Sequence, residues 1–238
     1  MLLSKFVCKF YETTKKHSIK EKISMPKSFT ITCHGGALHT RMNTVASVKR
    51  AVEWGAQIVE FDVSFRPDGT PVIIHNSSPS QSQGVLLEKA LDEVAKSKTC
   101  KINLDIKSTK NLSAVDKLVK SRKLEKRVFY TGVFEDWIDT VKENSSIPFF
   151  INYNPSPDES NNNEYIEKII SKAKETGAIG INSNFRRVSD SMVKSIQKNG
   201  LLVSLWTANK TKDMYKALSF RPDNITTKNP DILKMILK

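Results

Sequence analysis

IVEFDV (58–63), flanked by ITCHGG (31–36) and VIIHN (72–76), decides where this chain places its chemistry. It is an apolar, β-branched run of strand character. Glu60 and Asp62 stand two apart within it, so on a strand both carboxylates leave the same face. INLDIK (102–107) repeats the spacing with Asp105 and Lys107. Strands lying in one barrel would bring three carboxylates and one ammonium together. Oxygen donors of this kind suit one hard divalent cation, Mg2+ or Ca2+, while His34 and His75 supply groups that exchange protons near neutral pH.

Outward from this stretch, short β-branched runs alternate with helical patterns. The strand candidates are 29–33, 57–63, 101–106, 127–131, 148–153, 178–183, 201–207 and 224–227. Helix candidates follow them at 44–54, 85–97, 112–122, 134–144, 163–176, 187–198, 210–218 and 229–237. Such alternation predicts an α/β protein with a parallel sheet, and eight repeats make a (β/α)8 TIM barrel. The length of 238 residues accommodates it. His34, Glu60, Asp62, Asp105 and Lys107 then lie at the C-terminal ends of the first three strands, where barrels carry their active sites.

One further strand-like run, PVIIH (71–75), follows the tight-turn signal Pro67-Asp68-Gly69. It reads as the return arm of a hairpin, antiparallel and above the barrel, with His75 brought roughly opposite Glu60. The polar stretch NPSPDESNNNE (154–164) follows a strand and reads as a solvated connector, or as a lid facing the substrate.

The composition is that of a soluble globular protein, 39% hydrophobic and 26% charged. Three scattered cysteines without CxxC spacing read as reduced thiols. The net charge of +13 is spread over helices and loops with no aromatic-rich motif beside it, so nucleic acid is not an expected partner. Residues 1–28 read as a basic, amphipathic N-terminal helical extension to a barrel at 29–238. Residues 1–12 could lie on a membrane surface or close the bottom of the barrel. The expected location is the cytoplasm, with membrane-peripheral contact through that segment.

The motifs in order resemble those of the glycerophosphodiester phosphodiesterase family, which is related to phosphatidylinositol phospholipase C and to the phospholipase D toxin-type barrels. HGG (34–36) stands for the family's HRG, MNT (42–44) for ENT, and EFD (60–62) for ExD. DGTPVIIHN (68–76) stands for DGxxVxxHD, DIK (105–107) for ExK, WTAN (206–209) for WTxN, and TTKNPDIL (226–233) for the closing segment. The resemblance implies that His34 and His75 are the catalytic acid and base and that Glu60, Asp62 and Asp105 hold the metal. It also implies that Lys107 contacts the phosphate and Trp206 lines the substrate pocket. The expected activity is metal-dependent cleavage of a glycerophosphodiester or another lipid-derived phosphodiester.

Four departures accompany the matches. Gly35 stands where the family has the arginine of HRG, removing a bidentate phosphate contact that a lysine elsewhere would replace only as a point charge. Met42 replaces the glutamate of ENT, Asn76 the aspartate of HD, and Asp105 the usual glutamate. The insertion that many members carry between the hairpin and the third barrel strand is also absent. These features keep open a phospholipase D-like enzyme acting on lysophospholipids. They also keep open a barrel that binds phosphate esters or lipid headgroups without turning them over.

Overall fold

The computed structural model describes residues 24–238. The barrel strands are β1 (Thr30–Cys33), β2 (Ile58–Phe65), β5 (Lys101–Ile106), β6 (Val128–Val133), β7 (Phe149–Asn152), β8 (Gly180–Asn184), β9 (Leu202–Trp206) and β10 (Asn224–Thr227). They pair in parallel in this order, and closure comes from β1, which pairs with β10 through Ile31↔Ile225 and with β2 through Cys33↔Val59. The result is a (β/α)8 TIM barrel. Its helices are α1 (Val45–Trp54), α2 (Leu87–Ala95), α3 (Leu112–Ser121), α4 (Ile138–Asn144), α5 (Pro157–Asn161), α6 (Asn163–Thr176), α7 (Asp190–Lys198), α8 (Thr211–Ser219) and α9 (Pro230–Ile236).

The period of two along each strand sorts side chains into two compartments. Val59, Phe61 and Val63 on β2, and Ile102, Leu104 and Ile106 on β5, join the apolar core between strands and helices. The alternate residues point inward and are polar: Glu60, Asp62 and Asn103 are buried, and farther around the barrel Asn224 bonds Thr32 and Ser204. The barrel interior is thus a hydrogen-bonded polar shaft inside an apolar sleeve.

The turn after β2 is held by Gly69 N–H to Arg66 O (2.9 Å) and Arg66 N–H to Thr70 O (3.0 Å). It returns the chain as β3 (Pro71–Ile73), antiparallel to β2 with Val63↔Ile73. The pairing continues as Ile74 N–H to Asp62 O, so His75 follows the residue opposite Asp62 and its register partner would be Phe61, one residue from the Glu60 expected. A two-residue strand, β4 (Val85–Leu86), extends the excursion by pairing with β3, where the sequence suggested the start of α2. NPSPDESNNNE is largely helical and carries no free lid. Ser156 and Glu159 form a capping box on α5, and Asn162 caps α6. Cys33 and Cys100 are buried free thiols. The amphipathic segment 1–12 and Cys8 lie outside the described residues, and among the described residues no helix is long and apolar enough to cross a membrane.

Candidate active site

Asp62 and Asp105 are direct ladder partners across the β2–β5 seam, and Glu60 lies one inward step below, opposite Asn103. The parallel register alone therefore brings the three carboxylates together. One oxygen from each of Glu60, Asp62 and Asp105 lies within 4.8 Å of the others. Burying like charges side by side is unfavourable unless a cation compensates. Part of that compensation comes from Lys107, whose Nζ lies 2.6 Å from Asp105 Oδ2 and 3.0 Å from Asp62 Oδ1. Burial opposes the ammonium, but the carboxylates of Asp105 and Asp62 outweigh it and hold the Lys107 pKa above its ordinary value.

One ammonium does not balance three carboxylates. Burial pushes the Glu60 carboxyl up to about 7, a rise resisted by His34 and by the Gly35 N–H and reinforced by Asp62 and Asp105. Burial likewise raises Asp105 against the pull of Lys107. Asp105 Oδ1 is buried and has no hydrogen-bond partner. An orphaned buried carboxylate oxygen, on a residue grouped with two further carboxylates, fits a divalent cation with oxygen ligands.

Two residues to which the sequence analysis gave no role fix these ligands. Asn43 clamps Asp62 twice, donating from Nδ2 to Asp62 Oδ2 (2.7 Å) and accepting from the Asp62 N–H at Oδ1 (3.1 Å). It does so from a left-handed conformation (φ 53°), which asparagine tolerates better than most residues. Its place in MNT was the available signal. Gly132 on β6 (φ 76°) is packed so closely that a Cβ there would lie 2.4 Å from Asp105 Oδ1 and from Ile106 O. The Gly132 N–H donates to Asn152 Oδ1 (3.0 Å), which also accepts from Asn182 Nδ2 (3.0 Å).

His34 follows β1 and lies 3.9 Å from Glu60 Oε2 through Nδ1, which also approaches Gly35 O at 2.9 Å. The Gly35 N–H donates to Glu60 Oε2 at 2.7 Å. His75 reaches the same cavity from the hairpin and is exposed. Asn76 turns away from it, closing an Asx turn with Ser78 (Ser78 N–H to Oδ1, 3.0 Å). All seven residues singled out from the sequence, His34, Glu60, Asp62, His75, Asp105, Lys107 and Trp206, line one cavity of about 520 Å3 at the C-terminal end of the barrel. Trp206 lines the cavity with its ring, and its Nε1 is buried without a hydrogen-bond partner. Phe134 and Trp137, in edge contact after β6, form a second aromatic wall, with Phe134 46% exposed.

A profile of the glycerophosphoryl diester phosphodiesterase family matches residues 33–81 and 80–232. A curated glycerophosphodiester phosphodiesterase of Caldanaerobacter subterraneus subsp. tengcongensis is 23% identical over 246 aligned positions, covering 87% of this chain and 96% of the relative. Among solved structures, a glycerophosphodiester phosphodiesterase from Parabacteroides distasonis superposes with a TM-score of 0.71 at 22% identity, covering 88% of this chain and 97% of that one. An Oleispira antarctica phosphodiesterase, solved with the product sn-glycerol-3-phosphate, gives a TM-score of 0.71 at 17% identity, covering 90% and 97%. With the family profile spanning nearly the whole barrel, from the end of β1 to α9, the chain belongs to the glycerophosphoryl diester phosphodiesterase family and is a phosphoric diester hydrolase.

Proposed function

We propose that this protein is a metal-dependent phosphodiesterase that cleaves glycerophosphodiesters by two-histidine acid–base catalysis. The observation that carries the reading is the convergence of Glu60, Asp62 and the unpartnered Asp105 Oδ1 beneath His34 and His75. Glu60, Asp62 and Asp105 would hold one divalent cation, Mg2+ or Ca2+. When bound, the cation neutralises phosphate oxygens and lowers the pKa of the attacking hydroxyl or water.

The two histidines divide the proton work by their surroundings. With Nδ1 occupied by the Gly35 carbonyl, neutral His34 presents an unprotonated Nε2, the form that accepts a proton from the nucleophile. His75, exposed on the hairpin, is the group placed to protonate the departing alcohol. Lys107, held by Asp105 and Asp62, contacts the phosphate as a point charge, and the Trp206 ring lines the pocket beside it. If the substrate has a hydroxyl beside the ester, internal attack to a cyclic phosphate uses the same groups.

The aromatic walls of Phe134, Trp137 and Trp206 favour a substrate with an apolar portion. They support a second reading, lysophospholipid cleavage in the manner of the phospholipase D-type barrels, which the Asp105-x-Lys107 motif also suits. A small-molecule or lipid-derived phosphodiester is the partner in either case. Residues 1–28 are proposed as a separate extension to the 29–238 barrel, with residues 1–12 as its membrane-surface segment. The deciding experiment incubates the protein with glycerophosphodiesters and with lysophospholipids, with and without a chelator. Divalent-dependent release of the alcohol together with sn-glycerol 3-phosphate supports the first reading; release insensitive to chelation, or none, overturns it.

A further inference from the structure

Two departures from the family pattern meet beside a lysine at one point of the barrel rim. Gly35 leaves no cation after His34, and Met42 leaves no anion on the following loop. Lys228, at the end of β10, sends its ammonium to the Met42 sulfur at 3.3 Å. A thioether is a weak acceptor, and among the described residues no carboxylate lies within 4.0 Å of Lys228 Nζ.

The position of Lys228 is fixed from both sides. Cys33 and Thr227 are the last ladder pair of β1 and β10, so Lys228 stands one step beyond, at the level of His34. Its carbonyl accepts from Leu38 N–H (3.0 Å), and its N–H donates to Asn209 Oδ1 (2.8 Å), the asparagine of WTAN. The half-buried side chain lies against Met42, which lines the cavity together with His34 and Glu60. In barrel order β10, β1, β2, β5, the His34–Glu60–Asp62 arc has Lys107 on one flank and Lys228 on the other.

We propose that Lys228 is the phosphate-gripping cation of this chain, standing in, one strand over, for the arginine that Gly35 replaces. The inference rests on the phosphate binding between His34 and Lys107, as in the function proposed above. Its flexible four-carbon stem lets the ammonium leave the Met42 sulfur for a non-bridging phosphate oxygen, which it contacts as a point charge. Lys107 then holds the opposite edge of the phosphate. Met42 suits this role because a carboxylate in its place would pair with Lys228 and compete with the substrate.

The test is calorimetric titration with sn-glycerol 3-phosphate, with magnesium and separately with a chelator, so that binding is read apart from turnover. Lys228→Met keeps the packing against Met42 and removes the charge. It is expected to weaken binding about tenfold or more, the effect of one charge-assisted hydrogen bond. Lys228→Arg should stay within a few-fold of the parent. Gly35→Arg should restore binding in the Lys228→Met background, since a Cβ at 35 meets Asn43 and Glu60 only at ordinary contact distances of 3.5 and 3.6 Å. Should Lys228→Met not fold, Lys228→Gln takes its place. Parent-like binding in the variant, a loss that neither Lys228→Arg nor Gly35→Arg avoids, or no binding by the parent would each overturn the proposal. Divalent-dependent turnover, measured separately, stands or falls independently of these outcomes.

Discussion

Gly132 touches the carboxylate of Asp105 so closely that a single added carbon would lie 2.4 Å from Oδ1. Gly177 has nearly the same left-handed backbone, with φ 75° against 76°, but open space where its Cβ would be. Alanine at either position is strained by its positive φ, so both variants should lose more than about 1 kcal/mol of stability. Only Gly132→Ala should displace Asp105 and weaken divalent binding, by roughly tenfold or more if one ligand is misplaced. Equal metal affinities in the two variants, measured by titration, would show that Gly132 does not position the ligand.

Glu60 titrates far above its ordinary value, and the direction of that shift sets a pH dependence. A carboxyl with a pKa of about 7 in the folded state and 4.5 as its reference binds its proton more tightly when native. The cation-free protein therefore loses stability as pH rises from 4.5 through about 7, by up to about 3 kcal/mol before other groups are counted. Asp105 adds to the loss in the same direction. A divalent cation reverses the trend by favouring the ionised form. Urea midpoints with chelator should thus be higher at about pH 6 than at about pH 8, and the added stability from magnesium should be larger at the higher pH.

Lys107 competes with a metal for the same carboxylates while serving the phosphate. Lys107→Met should therefore bind magnesium at least as tightly as the parent, yet hydrolyse its substrate roughly 10²-fold more slowly. A weaker metal affinity would mean that the ammonium holds the carboxylates in place and does not oppose the cation.

Replacing His34 or His75 by alanine should each lower turnover by roughly 10²–10⁴ while leaving metal affinity within a few-fold. A variant turning over within a few-fold of the parent would place that histidine outside the mechanism.

Every barrel strand was legible as a β-branched run, and the register that joins Asp62 to Asp105 follows from two such runs with carboxylates at matching positions. The supports were harder to read. Gly132 sits in RVFYTGV (127–133) like any strand glycine, and its reason for being there is an oxygen on the neighbouring strand, distant in sequence. Asn43 belongs to a quoted motif, but its double bond to Asp62 depends on how the β1–α1 loop folds back. β4 has only two residues, and its pairing with β3 is not encoded in its own periodicity. The capping box at Ser156 and Glu159 was readable as S-x-x-E and outweighs the polar, loop-like composition around it.

The separation of a polar shaft from an apolar sleeve divides two selective pressures between two sets of residues. Val59, Phe61 and Val63 on β2 and Ile102, Leu104 and Ile106 on β5 sustain the fold through the helices around them, while Glu60, Asp62, Asn103 and Asp105 between them face the cavity and one another. An exchange of Asn103, Asn152 or Asn182 for another polar side chain of similar size alters what the cavity recognises and removes little apolar contact. Divergence in substrate choice can therefore accumulate along the inside of such a barrel while the outer layer stays nearly constant.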